Sequence, residues 1–356
     1  MIVVDAHQDI AYWVMQYGRD YTRSAWATRR LEARSGASRL HGVAANGLPD
    51  ALLGRIALIF TTLFVEPAWS TFTPQKQFGY VTPDEAYRQA LRQWDYYQRL
   101  FEDCPQVTPV RTAEELDAVL ETWAPGTDLA DHRIGLVLLM EGADPVLEPR
   151  QLEEWVARGV RIVGPAWSQT RYAGGSWRPG PLTDLGRELL EVMADFNLIL
   201  DLSHMTEEGY FEALDRYPGP VIASHSNPTR FWDDHRNLTD RQIAALAERD
   251  GVMGIVLYNR YMNAGWYRGA PKTSTPFETV IDMIDHVCQV TGSVAHVGIG
   301  SDIDGGFGAE AIPDGIDTVT DFLRIADGLR ARGFSAADTE AVMSGNFLRV
   351  LRRSLP

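Results

Sequence analysis

The chain has 356 residues, 45% hydrophobic and 23% charged, the composition of a globular protein long enough for a large buried core. Its net charge of −15 and pI near 5.0 exclude the basic face that nucleic acid or an anionic membrane surface demands of a partner. No apolar run reaches the ~18 residues of a bilayer span and no basic segment leads into an apolar region at the start; Cys104 and Cys288 stand far apart, outside any C-x-x-C or Cys/His cluster. These features predict a cytoplasmic protein with reduced thiols, no membrane partner and no nucleic-acid partner.

In chain order, the first apolar run predicts a strand over 2–7. A long polar segment rich in Arg and Gly, residues 19–54, follows with a moderate helical pattern. A second strand is predicted at 56–64, then a loop rich in aromatics and Pro at 65–82. Thr82-Pro83-Asp84-Glu85 reads as a capping box with Pro at the first helical position, opening a helix to about Cys104. Thr112-Ala113-Glu114-Glu115 reads as a second box, opening a helix to about Trp123. Strands are then predicted at 134–140, 160–165, 198–202, 221–224, 251–257 and 296–300. Helices between them are predicted near 149–158, 183–196, 206–216, 239–249 and 276–291, and two more, near 317–332 and 336–352, end the chain.

Eight short, nearly continuous apolar strands separated by helices are the pattern of a parallel sheet buried on both faces. Eight of them predict a single-domain (β/α)8 TIM-type barrel over residues 1–356, with additional C-terminal helices. No G-x-G-x-x-G follows the first strand, which argues against a dinucleotide fold.

Such a barrel places its active site at the C-terminal ends of its strands. Strand one closes on Asp5-Ala6-His7-Gln8-Asp9, whose alternation points His7 and Asp9 to one side. Strand three closes on Glu141-Gly142, strand five on Asp201-Leu202-Ser203-His204, strand six on Ser224-His225-Ser226. Strand eight closes on Ser301-Asp302-Ile303-Asp304-Gly305. Taken singly, each is an ordinary strand end. Together, three histidines and two or three carboxylates suit a two-metal hydrolytic centre better than one structural zinc. His41, His132, His235, His286 and His296 do not close strands. The only lysines, Lys76 and Lys272, lie in loops, so a carboxylated lysine cannot bridge two metals and Glu141 is the natural bridge.

With these motifs, and with Arg236-Asn237-Leu238 and Tyr258-Asn259 in matching order, the chain resembles the membrane (renal) dipeptidase family of the amidohydrolase superfamily. The resemblance covers essentially the whole chain. It implies metal-dependent hydrolysis of a dipeptide amide by a hydroxide bridging two divalent ions, most simply Zn2+. His7, Asp9 and Glu141 would hold one ion, and Glu141, His204 and His225 the other. Asp302 matches the carboxylate that moves protons, and Arg236 the arginine that grips the substrate carboxylate in a fork. Trp167 and Tyr258 complete the expected substrate contacts. Asp5 is expected to buttress His7. A homodimer is a family-level expectation.

One departure stands out. The family's eukaryotic members carry a histidine after strand four where this chain has Trp167, in Pro165-Ala166-Trp167-Ser168. An indole donates one hydrogen bond but cannot ionise. His235 is the neighbouring residue that could compensate, and the loop Arg171–Arg178 is a candidate pocket wall. The substitution keeps two alternatives open: the same site acting on another small amide, such as an N-acyl amino acid or a lactam, or a barrel that binds without catalysis.

Overall fold

The computed structural model describes residues 1–73 and 76–356; the expected loop 65–82 therefore includes Pro74 and Gln75, outside the described residues. In chain order the strands are β1 (Val3–Gln8), β2 (Ile56–Phe64), β3 (Val107–Pro109), β4 (Ile134–Glu141), β5 (Val160–Gly164), β6 (Ala173–Gly175), β7 (Arg178–Leu182), β8 (Ile199–Asp201), β9 (Val221–Ser226), β10 (Val252–Ile255) and β11 (Val297–Ile299). Eight of these, β1, β2, β4, β5, β8, β9, β10 and β11, pair in parallel, and β2 pairs with β4 to close the circle. The expected (β/α)8 barrel is present as a single domain, and its eight strands are those read from the apolar runs.

Every residue of β1, β2, β4, β9, β10 and β11 is buried. Helices cover the outer face, so both faces of each strand need apolar side chains, and the alternation that marks a half-solvated sheet is absent. The short β3 adds a ninth strand, pairing with the start of β4. It was not anticipated, being three residues long with a proline at its end. The antiparallel hairpin β6–β7 stands outside the barrel.

Thr82 and Thr239 cap helices Pro83–Asp103 and Asp240–Glu248 with both halves of a capping box. Thr112 caps helix Ala113–Glu121, but its box is incomplete. The Glu115 carboxylate turns instead to the Arg111 backbone N–H at 2.6 Å and to the Arg111 guanidinium. A helix over Ile10–Tyr17, which sequence reasoning did not identify, begins directly after Asp9 and buries Ile10, Ala11, Tyr12 and Trp13.

The polar segment after it folds as three short helices, Ala25–Glu32, Ala37–His41 and Leu48–Leu53. Asp304, at the C-terminal side of the barrel, pins it. Its carboxylate accepts from the backbone N–H groups of Ala45 and Asn46 and lies 3.6 Å from the Arg19 guanidinium. No helix among the described residues is long and apolar enough to cross a membrane.

Candidate metal centre

The strand ends converge as the barrel requires. His7 sits in β1, Glu141 ends β4, Asp201 ends β8 and His225 lies in β9; Asp9 follows directly on β1, and His204 and Asp302 lie in the turns just after β8 and β11. His7, Asp9, Glu141, His204, His225 and Asp302 are all buried. The two oxygens of Glu141 divide between the histidines. Oε2 lies 3.5 Å from His7 Nε2, while Oε1 lies 3.0 Å from His204 Nε2 and 3.5 Å from His225 Nε2. Asp9 Oδ1 is 3.6 Å from His7 Nε2, and the Nε2 atoms of His204 and His225 are 3.0 Å apart.

Those spacings carry chemical information. Donors ~2.0–2.1 Å from a tetrahedral cation are ~3.3 Å from one another. Glu141 Oε1, His204 and His225 form one such set, and His7 Nε2 lies near this spacing from both Asp9 Oδ1 and Glu141 Oε2. His7 Nε2 is fully buried and has no hydrogen-bond partner. An orphaned ring nitrogen facing two carboxylates is costly for a protein alone and natural for a ligand. The residues present therefore fit divalent cations. Among the described residues, Glu141, His204 and His225 form one cluster of ligating atoms, and His7, Asp9 and Asp302 another.

The other ring nitrogens are held from behind. Ser224 Oγ donates to Asp201 Oδ2 at 2.6 Å and lies 2.8 Å from His225 Nδ1 and 3.3 Å from His7 Nδ1. A hydroxyl has one proton; given to Asp201, it leaves only lone pairs for the imidazoles. Both rings must then carry a proton on Nδ1, which leaves Nε2 as the nitrogen available for a ligand bond in the chamber. Asp201 also accepts from the backbone N–H groups of Ser203 and Ser224. Ser176 Oγ, at the tip of the β6–β7 hairpin, meets His204 Nδ1 at 2.8 Å.

Sequence reasoning gave no role to Ser176, Ser224 or Asp201. The signal for Ser224 and Asp201 was their place inside the strand-end motifs; for Ser176 there was only Gly174-Gly175 before it. Asp5 does not touch the His7 ring. Its carboxylate accepts from Ser301 N–H at 2.7 Å, Ser301 Oγ at 2.5 Å, Gln8 Nε2 at 2.7 Å and, at 3.4 Å, the His7 backbone N–H. It ties the end of β1 to the segment that presents Asp302.

Three residues of this rim, His204 (φ 67°), Asp302 (φ 56°) and Asp304 (φ 66°), adopt left-handed backbone that side chains with a Cβ disfavour. Such strain costs ~1–3 kcal/mol per residue and persists where the surroundings over-determine it. Gly305 makes the turn at Asp302 possible: a Cβ there would lie 1.9 Å from Asp302 Oδ1.

Burial drives the electrostatics. Burial, reinforced by Asp9, raises the Glu141 carboxyl to about 7 against the pull of His7. Asp302 is pushed well above the carboxylate range by burial, with Asp9 and Glu141 adding to it. Burial opposes a charge on His7, but Glu141 and Asp9 outweigh it and hold its pKa well up. His204 and His225 are driven well down by burial; Arg236 then follows for His204, and His7 for His225. Without cations the cluster holds protons on the His7 side and stays neutral on the other.

Arg236 is buried. It donates to the His225 carbonyl at 2.8 Å and to Ser226 Oγ at 3.3 Å, and its guanidinium lies 5.2 Å from the Tyr261 ring centre. Its Nε has no partner. Trp167 is a chamber wall, with ring centres 5.0 Å from Phe64, 5.1 Å from Trp177 and 6.2 Å from His204. His235 does not take the place of a histidine at position 167. Its Nε2 contacts the Ser176 carbonyl, and it does not line the chamber. Tyr258 stacks on Phe307 at 4.2 Å and faces an adjoining cleft of about 780 Å3 rather than the metal ligands. Phe72, Trp177 and Tyr261 border both spaces. The Arg171–Arg178 segment forms β6 and the turn into β7, and within it Trp177 lines the chamber.

The remaining histidines are accounted for elsewhere. His41 stacks on Tyr17, His132 stacks on Trp123, His286 pairs with Asp240, and His296 meets the Gly251 carbonyl.

A parallel barrel with three histidines and two carboxylates focused on its C-terminal mouth defines a metal-dependent hydrolase. The chain belongs to the family described as Membrane dipeptidase (Peptidase family M19), which matches residues 1–354. It is 32% identical over 232 residues to the "Uncharacterized protein in pqqA 5'region" of Klebsiella pneumoniae, covering 62% of this chain and 83% of that one. Dipeptidase aclJ of Aspergillus oryzae is 26% identical over 358 residues, 98% of this chain and 77% of its own length. The solved structure of the metallopeptidase dipeptidase AC superposes with a TM-score of 0.78 at 25% identity, covering 100% of this chain and 99% of that chain. Family, fold and donor cluster together make this chain a metal-dependent dipeptidase.

Proposed function

We propose that the centre holds two zinc ions and that the chain cleaves dipeptides with a free carboxylate, His7, Asp9 and Glu141 serving one ion and Glu141, His204 and His225 the other. The observation that carries this reading is the division of the Glu141 oxygens between His7 and the His204/His225 pair. When bound, the two cations supply a hydroxide nucleophile at neutral pH and polarise the amide carbonyl.

The protein's own groups do the rest. Ser224 and Ser176 hold the imidazoles in place. Arg236, buried with its Nε unpartnered, offers its fork to the substrate carboxylate. Asp302 stands within ligand distance of His7 and Asp9 and has a carboxyl whose affinity for protons is raised. It accepts the proton of the attacking water and returns it to the leaving amine. Trp167, Phe64 and Trp177 exclude bulk water. The indole of Trp167 supplies no ionisable group to the carbonyl.

The test is Asp302→Asn. Metal content should be unchanged while kcat falls by about 10²–10⁴-fold, the range of a lost general acid–base. Loss of metal with a retained fold would make Asp302 a ligand and refute its assigned role.

A further inference from the structure

The cleft of about 780 Å3 beside the chamber is of a size that takes small organic ligands. The reaction as described needs little of it. Its wall includes Trp69, Trp177, Trp232 and Trp266, and also Arg260 and Arg268; no Asp or Glu lines it among the described residues. In a chain of net charge −15 that is a local reversal of sign. The Arg260 guanidinium lies 6.0 Å from the Trp232 ring centre, and Arg178 lies 3.7 Å over Trp69. The Arg178 plane rests on the Trp69 indole beside the cleft, and Arg260 stands at the outer limit of such a contact with Trp232; both leave N–H groups for an anion. The Trp266 indole N–H is buried without a partner.

We propose that this cleft is a second anion subsite, which binds an acidic side chain of the dipeptide in addition to the α-carboxylate held at Arg236. A substituent leaving the metal chamber passes Phe72, Trp177 and Tyr261, which border both spaces, and meets the arginines. The subsite rests on the dipeptidase reading above. It adds specificity for charge, exerted through binding rather than through the chemical step.

The experiment compares isosteric acid and amide dipeptides, Glu-Ala with Gln-Ala and Ala-Glu with Ala-Gln. They are tested on the metal-loaded wild type and on the Arg260→Gln/Arg268→Gln double variant. In at least one pair the acid should be preferred by about tenfold in kcat/KM, through KM, as expected for a charge-assisted pair. The double variant should lose that preference while hydrolysing the amide dipeptides as before, which also shows that it folds. Equal rates within both pairs, or a preference that survives the double substitution, would overturn the subsite. Binding of the same dipeptides, followed by tryptophan fluorescence, separates the two claims. Preferential binding of the acid, abolished in the double variant, without turnover of any dipeptide would retain the subsite and sink the hydrolytic reading. Turnover without any charge preference would sink the subsite alone, as would the absence of any binding preference.

Discussion

The single proton of Ser224 sets how two histidines are presented. Donated to Asp201, it obliges His7 and His225 to carry their protons on Nδ1 and so to offer Nε2 to a cation. Ser224→Ala should therefore weaken metal binding by about 10–100-fold, the usual effect of losing a group that orients a ligand, with little change in fold. Competition against a chelator reads this directly, and unchanged affinity would contradict it. The candidate ligands were legible in the sequence because an imidazole or carboxylate at a barrel strand end declares its chemistry. Ser224 and Ser176 were not, because a serine acquires such a role only from what faces it in space. Trp167 lies between these cases. Its failure to ionise was readable, whereas its packing against Phe64 and Trp177 depended on a hairpin that the sequence did not disclose.

The β6–β7 hairpin was read only as a Gly-rich candidate wall. It delivers Ser176 to His204 and Trp177 to the chamber. It can do so because Gly175 lies against the backbone of the segment after β5; a Cβ there would sit 2.2 Å from the Trp167 carbonyl oxygen. Gly175→Val should displace the hairpin and loosen His204. The expected result is a drop in metal content toward one ion per chain, because the His7–Asp9 side does not depend on the hairpin. Two retained ions would show that the hairpin does not hold the ligand. The barrel strands were legible because burial on both faces leaves long apolar runs, while helix Ile10–Tyr17 was not. Its apolar and aromatic residues, Ile10, Tyr12, Trp13 and Val14, carry little local helical preference, and burial against the barrel decides its conformation.

At the scale of the whole molecule, the acidic composition argued against polyanionic partners but did not foretell an arginine-lined cleft, which is assembled from Arg260 in the short helix Asn259–Met262, Arg268 just beyond it, and indoles drawn from several other segments. Protons and cations compete for the buried centre. Burial raises the Glu141 carboxyl to about 7, and the facing carboxylates raise His7, so the pair keeps hold of a proton. Both groups have raised pKa values, so the pair retains protons toward neutrality that it must release to ligate. His204 and His225, with lowered values, are already neutral. Metal affinity should accordingly fall as pH drops below about 7, by about tenfold or more between pH 8 and pH 6. A Kd that does not change across that window would show that the cluster is not protonated as described.

The most direct test of the proposed two-metal centre is a titration of chelator-treated protein with zinc, with bound metal and dipeptide hydrolysis measured together. Activity should be absent at the start and reach its plateau only as the second ion per chain binds. Full activity with well under one metal per chain, and no gain on adding zinc, would contradict it.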